Sequence, residues 1–354
     1  MKIVVLGGGI STERHVSLVT STSVCKALRS LGHKAIFVDM YFGLENYDGD
    51  ISGIFDSEDG LCGNVAIETV APDIESVKKA RRYVSDSRIG DRVLDVCAMA
   101  ECVFLGFHGA DGEDGKIQAV LDLMGIPYTG SDYLGSAMAM NKSVAKKIME
   151  YEGILTPSWS EIDYSAGDID RLVSSLPVPC VVKVPGGGSS IGVFLPDTQE
   201  ELRNALEQAL AFGSRVIIEE KINGREMTVP VLENRYLSPI EIIPPDGTNF
   251  DYIAKYQSGS QGAKEICPAA VTEDEKKKMG EAALRLHKAL GLSVYSRTDF
   301  ILDSEGNPWC LEINTLPGMT PNSLIPKSAA VEGMSYPELC GKIVELSIAA
   351  RKGN

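Results

Sequence analysis

The chain has 354 residues, 44% hydrophobic and 23% charged, with 34 Lys and Arg against 49 Asp and Glu, a formal net charge of −15. That length predicts two or three domains with buried cores, and the composition excludes a disordered or fibrous protein. So large an acidic excess, without a basic tract, excludes a broad nucleic-acid or anionic-membrane surface; a polyanion would have to be met by a few placed cations. No apolar run reaches the roughly 18 residues of a membrane span, and the apolar start at residues 3–6 is too short for a signal peptide, so a cytoplasmic protein is expected. Eight scattered cysteines, with no C-x-x-C pair and no Cys/His cluster, read as structural thiols of a reducing compartment.

Residues 3–6, the glycines Gly7-Gly8-Gly9, a helical pattern over 13–31 stopped by Gly32, and a second apolar run over 35–40 read as a β-α-β unit. The first domain is therefore expected to be α/β with a parallel sheet. The dinucleotide fingerprint fails because its third glycine would fall on Thr12. What remains is a tight strand-to-helix turn with Ser11 or Thr12 as N-cap and Glu13 in the first helical turn, at the strand end where α/β sheets place ligands. Residues 45–92, rich in Asp, Gly and Ser, read as an irregular insertion. The sheet resumes at 102–106 and runs into His108-Gly109.

Helices are expected at 115–124 and 141–151, then strands at 178–184 and 191–195 joined by Pro185-Gly-Gly-Gly-Ser-Ser190. A helix at 198–211, a strand at 215–219, several further strands, a polar loop at 257–265, a charged helix at 272–290 and a hairpin at 294–314 follow. The glycine loop either cradles a phosphate on bare N–H groups or is a flexible turn; Lys183, on an otherwise apolar strand, needs a partner anion and favours the first. Lys142 and Lys146, one helical turn apart, read as a solvated stripe. Glu219-Glu220-Lys221-Ile222 closes a strand, either holding a base and ribose or forming an exposed edge. His33 and His287 read as structural and His15 lies within the first helix, which leaves His108 in a strand-end loop.

The hairpin carries the sharpest signal. A four-residue turn at 304–307 sets Asp299 opposite Glu312 and Arg297 opposite Asn314, all on one face, with Phe300, Leu302, Trp309, Leu311 and Ile313 on the other. Opposed carboxylates repel unless a cation lies between them, and two carboxylates with an amide suit magnesium.

Together, Gly8-Gly9-Ile-Ser-Thr-Glu13-Arg-His-Val-Ser-Leu18, His108-Gly-Ala-Asp-Gly-Glu-Asp-Gly115, Pro127-Tyr-Thr-Gly130, Lys183 with Gly188-Ser-Ser-Ile-Gly192, Lys255-Tyr256, Arg297-Thr-Asp299 and Leu311-Glu-Ile-Asn-Thr-Leu-Pro-Gly-Met-Thr320 closely resemble the D-alanine:D-alanine ligases of the ATP-grasp superfamily. The resemblance runs from residue 3 to about 346, apart from 45–92. It implies a three-domain α/β and α+β ATP-grasp ligase: an N-terminal parallel-sheet substrate domain (1–130), a central ATP-grasp domain (131–217) and a C-terminal catalytic domain (218–354).

The implied activity is ATP-dependent joining of two D-alanines through an acyl phosphate, for a peptidoglycan precursor. The implied partners are ATP, two D-alanine molecules and a second copy in a homodimer, with two Mg2+ ions (or Mn2+) as cofactors. Lys142, Lys183 and Lys255 would meet the phosphates; Glu219, Glu220, Ile222 and Glu226 would surround adenine and ribose; Asp299, Glu312 and Asn314 would hold the metals. Glu13 would take the first D-alanine's ammonium and join Ser189 and Tyr256 in ordering a lid. Arg297 and the Gly318 N–H would stabilise the oxyanion, Ser323 and Leu324 would meet the second D-alanine, and His108 would lie nearby.

Two departures stand out. Some relatives carry Lys where Glu220 stands, and residues 257–263 lack the histidine of relatives that use D-lactate. Tyr256 matches the alanine-specific pattern. The rivals are the same chemistry with D-serine or D-lactate as second substrate, and a non-catalytic nucleotide-binding protein.

Overall fold

The computed structural model describes residues 1–63, 72–186, 192–244 and 263–352. Ser189, Lys255 and Tyr256 lie outside them, as does most of the polar loop expected at 257–265. Strands β1 (Lys2–Gly7), β2 (Lys34–Asp39) and β3 (Cys102–Leu105) form a parallel sheet in the order β2-β1-β3. Residues Ile3 to Leu6 are all buried, the continuous apolar run of a strand covered on both faces.

Helix α1 (Arg14–Ser30) packs on β1 and β2 and buries Val24, Cys25 and Leu28. It begins one residue later than expected. Glu13 is the N-cap, and Ser11 instead ties the turn to the neighbouring loop, accepting from the Glu13 N–H at 3.2 Å and donating to the His108 carbonyl at 2.8 Å. Among the described residues of the stretch 45–92, a 3-10 turn over Ile51–Asp56 sends Ile54 and Phe55 into the core, α2 (Ile74–Ala80) follows, and buried Arg81 stacks 4.5 Å over Tyr41 while donating to the carbonyls of Ser87 and Ile89.

After α3 (Val93–Ala98) and β3 come α4 (Lys116–Leu123), α5 (Tyr133–Met140) and α6 (Lys142–Tyr151). Helix α5 was not expected; its small, evenly apolar sequence carries little periodic signal, but the Asp132 side chain caps it by accepting from the Gly135 N–H at 2.8 Å. A second, antiparallel sheet has the order β4-β7-β5-β6, from β4 (Trp159–Asp163), β5 (Cys180–Lys183), β6 (Val193–Phe194) and β7 (Arg215–Glu220). Its core is closed by α7 (Ile169–Ser175) and α8 (Gln199–Ala209), whose Thr198/Glu201 capping box fixes the helix start.

The third sheet runs β11-β10-β8-β12-β13, with β9 on β8: β8 (Arg225–Leu232), β9 (Arg235–Tyr236), β10 (Ile240–Ile243), β11 (Lys264–Ile266), β12 (Tyr295–Leu302) and β13 (Pro308–Asn314). Helix α9 (Glu273–Ala289) and α6 share its apolar core. The chain then returns to the first sheet through α10 (Leu324–Val331) and α11 (Tyr336–Arg351). Leu339, Cys340, Ile343 and Val344 of α11 join the first core, and Arg351 stacks 3.6 Å over Tyr128 with two donors on the Gly130 carbonyl. Among the described residues no helix is long and apolar enough to cross a membrane, and all eight cysteines are free, seven of them buried.

The hairpin register holds at Arg297–Asn314 and Asp299–Glu312, then shifts at a bulge, so that Phe300 pairs with Cys310 and Ile301 with Trp309. Leu311 is the extra residue. One inserted residue reverses the alternation, so Cys310 turns inward while Trp309 and Leu311 are half-exposed, against the expectation that both line the core. The turn itself is clamped by Asp303, which accepts from the N–H groups of Glu305 and Asn307 and from the Trp309 indole; these bonds hold its carboxyl down at about 2.

Candidate active site

Two loops from the first sheet, after β1 and after β3, supply one wall. Glu13, at the α1 N-cap, is buried. Gly109 holds φ +76°, and a methyl group there would lie 2.6 Å from the Glu13 carboxylate, so glycine both makes the turn and admits the acid. His108 is buried with Nε2 2.9 Å from Thr20 Oγ1. Burial first, then the nearby Arg297 charge, pushes its imidazole down to about 4, so it is neutral at pH 7. Glu113, which the sequence reading quoted in a motif but assigned no role, lies in the same wall and accepts from the Gly109 N–H at 2.9 Å. Burial and the Glu13 charge push its carboxyl up to about 8.

The opposite wall is the bulged hairpin. Asp299 and Glu312 are paired in register, but cations separate them as side chains: Arg297 grips Asp299 with two bonds of 2.9 and 2.8 Å, and Lys142 Nζ lies 3.2 Å from Glu312 Oε2. Asp299 also accepts from Thr228 Oγ1 at 2.6 Å and from the Asn314 amide at 3.1 Å. Each of the two carboxylates is thus matched by a cation of the chain itself. Among the described residues no group of three or more His, Cys, Asp or Glu gathers as a metal cluster. Two carboxylates and an amide remain an oxygen donor set that fits magnesium by chemistry. Glu113, Lys142, Glu312 and Asn314 line one narrow cleft between the two walls.

A third group lies on the second sheet. Glu219 on β7 and Lys183 on β5 project from one face of neighbouring strands, with Lys183 Nζ 2.8 Å from Glu219 Oε2. Lys146 of α6 closes on the other oxygen at 3.2 Å and bonds Thr156 Oγ1 at 2.7 Å. Two expectations change here. The partner anion of Lys183 is in the chain itself, and Lys146 is buried rather than solvated, because the inner side of α6 turns both Lys142 and Lys146 toward carboxylates. Glu220 is exposed, its carboxylate accepting from Ser158 Oγ at 3.1 Å; Ile222, in the link from β7 to β8, and Glu226, on β8, are half-buried.

Beyond β13, Gly318 and Ser323 meet: a Cβ on Gly318 would lie 2.9 Å from Ser323 Oγ. Ser323 is the N-cap of α10 and Leu324 its first residue, both half-buried. The structure thus brings Glu13, His108, Arg297, Asp299, Glu312, Asn314 and Lys142 around one cleft, and Lys183 and Glu219 to a buried cluster behind it. Glu113 had only a weak signal, lying among loop acids, and Lys146 read with Lys142 as a solvated stripe.

Residues 2–131 match the family profile described as D-ala D-ala ligase N-terminus, and residues 141–345 match D-ala D-ala ligase C-terminus. The D-alanine–D-alanine ligase of Pediococcus pentosaceus is 39% identical over 345 residues, 97% of each chain, and that of Nitratidesulfovibrio vulgaris is 36% identical over 350 residues, 99% of each. Among solved structures, the D-alanine–D-alanine ligase of Bacillus anthracis complexed with ATP superposes with a TM-score of 0.70 at 29% identity, over 100% of this chain and 99% of that one. The VanG D-Ala:D-Ser ligase of Enterococcus faecalis gives 0.73 at 28%, over 98% and 99%. With both halves matched in order and relatives above 30% identity along the whole chain, the chain belongs to the D-alanine–D-alanine ligase family.

Proposed function

We propose that the chain joins two D-alanine molecules at the expense of ATP. The γ-phosphoryl group passes to the first carboxylate, ADP leaves, the second amine attacks the acyl carbon, and phosphate departs as the amide forms. The observation that carries this reading is the full-length likeness to D-alanine–D-alanine ligases in a chain that keeps acids on a wall from the first sheet and, on the third sheet, a register-paired Asp299 and Glu312 each matched by its own cation.

Glu13 suits an incoming ammonium: it is buried, and burial and the Glu13 charge push the carboxyl of its neighbour Glu113 upward. Arg297 stands where both the phosphorylated carboxylate and the oxyanion would form, with the Gly318 N–H as second donor. Asp299, Glu312 and Asn314 would hold magnesium, which when bound offsets phosphate charge. Lys142, Lys183 and, outside the described residues, Lys255 would meet the phosphates; Glu219, Glu220, Ile222 and Glu226 would border the nucleoside. Ser323 and Leu324, beside Gly318, border the second substrate; Ser189 and Tyr256 take the lid role the resemblance implies. A three-domain division, a homodimer and a cytoplasmic setting belong to the same reading.

The likeness to a D-Ala:D-Ser ligase makes the second substrate worth testing directly. The purified chain with ATP, magnesium and D-alanine is expected to release phosphate and D-alanyl-D-alanine in equal amounts, by mass spectrometry and phosphate assay. No dipeptide from D-alanine, with turnover once D-serine or D-lactate is added, would overturn the choice. Glu312→Ala is expected to lose at least about a hundredfold in turnover, where a non-catalytic protein would show no turnover to lose.

A further inference from the structure

Behind the cleft, Lys146, Glu219 and Lys183 form a cluster of two ammonium groups on one carboxylate. The side chains of Lys146 and Glu219 are each 1% exposed and that of Lys183 is 9% exposed. Folding alone needs only one of the two lysines. A Lys183–Glu219 pair at 2.8 Å would balance itself, and burying a second ammonium is costly when an apolar side chain of similar volume could fill the space. Burial indeed pushes the Lys146 ammonium below its ordinary value, although Glu219 pulls it back.

Lys146 is also held from outside the pair. Its Nζ bonds Thr156 Oγ1 at 2.7 Å, and Thr156 donates to the Cys310 carbonyl at 2.8 Å on the strand that carries Glu312. So the Lys146 ammonium is held by two partners, Thr156 and Glu219, while Lys183 stands at the last position of β5, two residues before the glycine loop at Pro185, with Glu219 as its partner.

We propose that Lys146 is a positioning residue that shares Glu219 so that Lys183 remains available to an incoming phosphate. With Lys146 present the cluster carries one positive charge beyond its carboxylate, and an anion completes it. When Lys183 turns to a phosphate oxygen, Glu219 still has Lys146 and is not left as a bare buried charge, the most costly outcome of breaking such a pair. Without Lys146, Lys183 and Glu219 close into a neutral pair that the nucleotide must break.

This inference rests on the nucleotide reading of the site. The test titrates ATP with magnesium into the unsubstituted chain and into Lys146→Met, Lys146→Gln and Lys146→Arg, by calorimetry, alongside steady-state kinetics and thermal melts. Met and Gln are expected to weaken ATP binding about tenfold or more and to raise KM for ATP in step, with kcat within about threefold; Arg, which keeps the charge, is expected to stay within about threefold of the unsubstituted chain. Gln keeps a donor for Thr156, so it carries the result should Met not fold. ATP bound as tightly by Met or Gln as by the unsubstituted chain, or a fall in kcat with KM unchanged, would overturn the role of Lys146. No ATP binding by the unsubstituted chain would overturn the nucleotide reading itself and this inference with it.

Discussion

His108 and His287 show how burial, helped by a nearby cation, sets a charge state. Neither has a carboxylate partner among its named contacts: His108 bonds Thr20, and His287 Nδ1 lies 2.7 Å from Ser296 Oγ. Burial is the first cause in both, helped by Arg297 for the one and Lys288 for the other, and both imidazoles fall to about 4. The sign follows. In the unfolded chain each takes its proton near 6.5, in the folded chain only near 4, so between those values the unfolded state binds more protons and stability falls as pH falls. Each is expected to withdraw on the order of 2 to 3 kcal/mol between pH 7 and 4. Ring-proton NMR should show two of the four histidines titrating about two units below the ordinary value; all four titrating near 6.5 would contradict neutral burial. The sequence could mark His108 as a strand-end residue. Its neutrality depends on Arg297, some 190 residues later, and no local pattern carries that.

At the scale of elements, alternation was legible up to the point where one residue breaks it. The pairing of Arg297 with Asn314 and of Asp299 with Glu312 followed from a simple hairpin, whereas the inward turn of Cys310 did not, because a bulge at Leu311 leaves no compositional trace. Helix α6 failed differently: its lysines are polar by type but face carboxylates on two other sheets, so periodicity assigned them to solvent. Helix α11 lay beyond any element the sequence reading placed, yet it closes the first core. Its last residue is the clearest anchor: Arg351 stacks 3.6 Å over Tyr128 and gives two bonds of 3.2 Å to the Gly130 carbonyl. Arg351→Ala removes both and is expected to cost about 2 kcal/mol, read as a lower thermal midpoint. An unchanged midpoint would mean that α11 is held by Leu339, Cys340, Ile343 and Val344 alone.

At the scale of the whole molecule, a net charge of −15 sets the problem of binding a triphosphate. The cations of the site do not stand ready as bare charges. Lys142 faces Glu312, Arg297 grips Asp299, and Lys146 with Lys183 shares Glu219, so four cations meet three carboxylates and Glu13 brings a fourth acid to the wall opposite. Among the described residues four cations stand against four acids, so these groups are close to balance, and Lys255, outside the described residues, would add one cation to them. Such a cleft has little net attraction for about four phosphate charges, and the acidic surface around it opposes them. Further positive charge is therefore expected to arrive with the nucleotide, as magnesium. Asp299 and Glu312 would hold the divalent metal, which would offset phosphate charge, and Arg297 and Lys142, now paired with those carboxylates, would then turn to the phosphates. ATP titrated in EDTA is accordingly expected to bind at least about tenfold more weakly than ATP with magnesium. In Glu312→Gln that difference should shrink, because Lys142 is already released and one metal oxygen is gone. Equal affinity with and without magnesium in the unsubstituted chain would overturn the metal assignment, since the protein's own cations would then suffice.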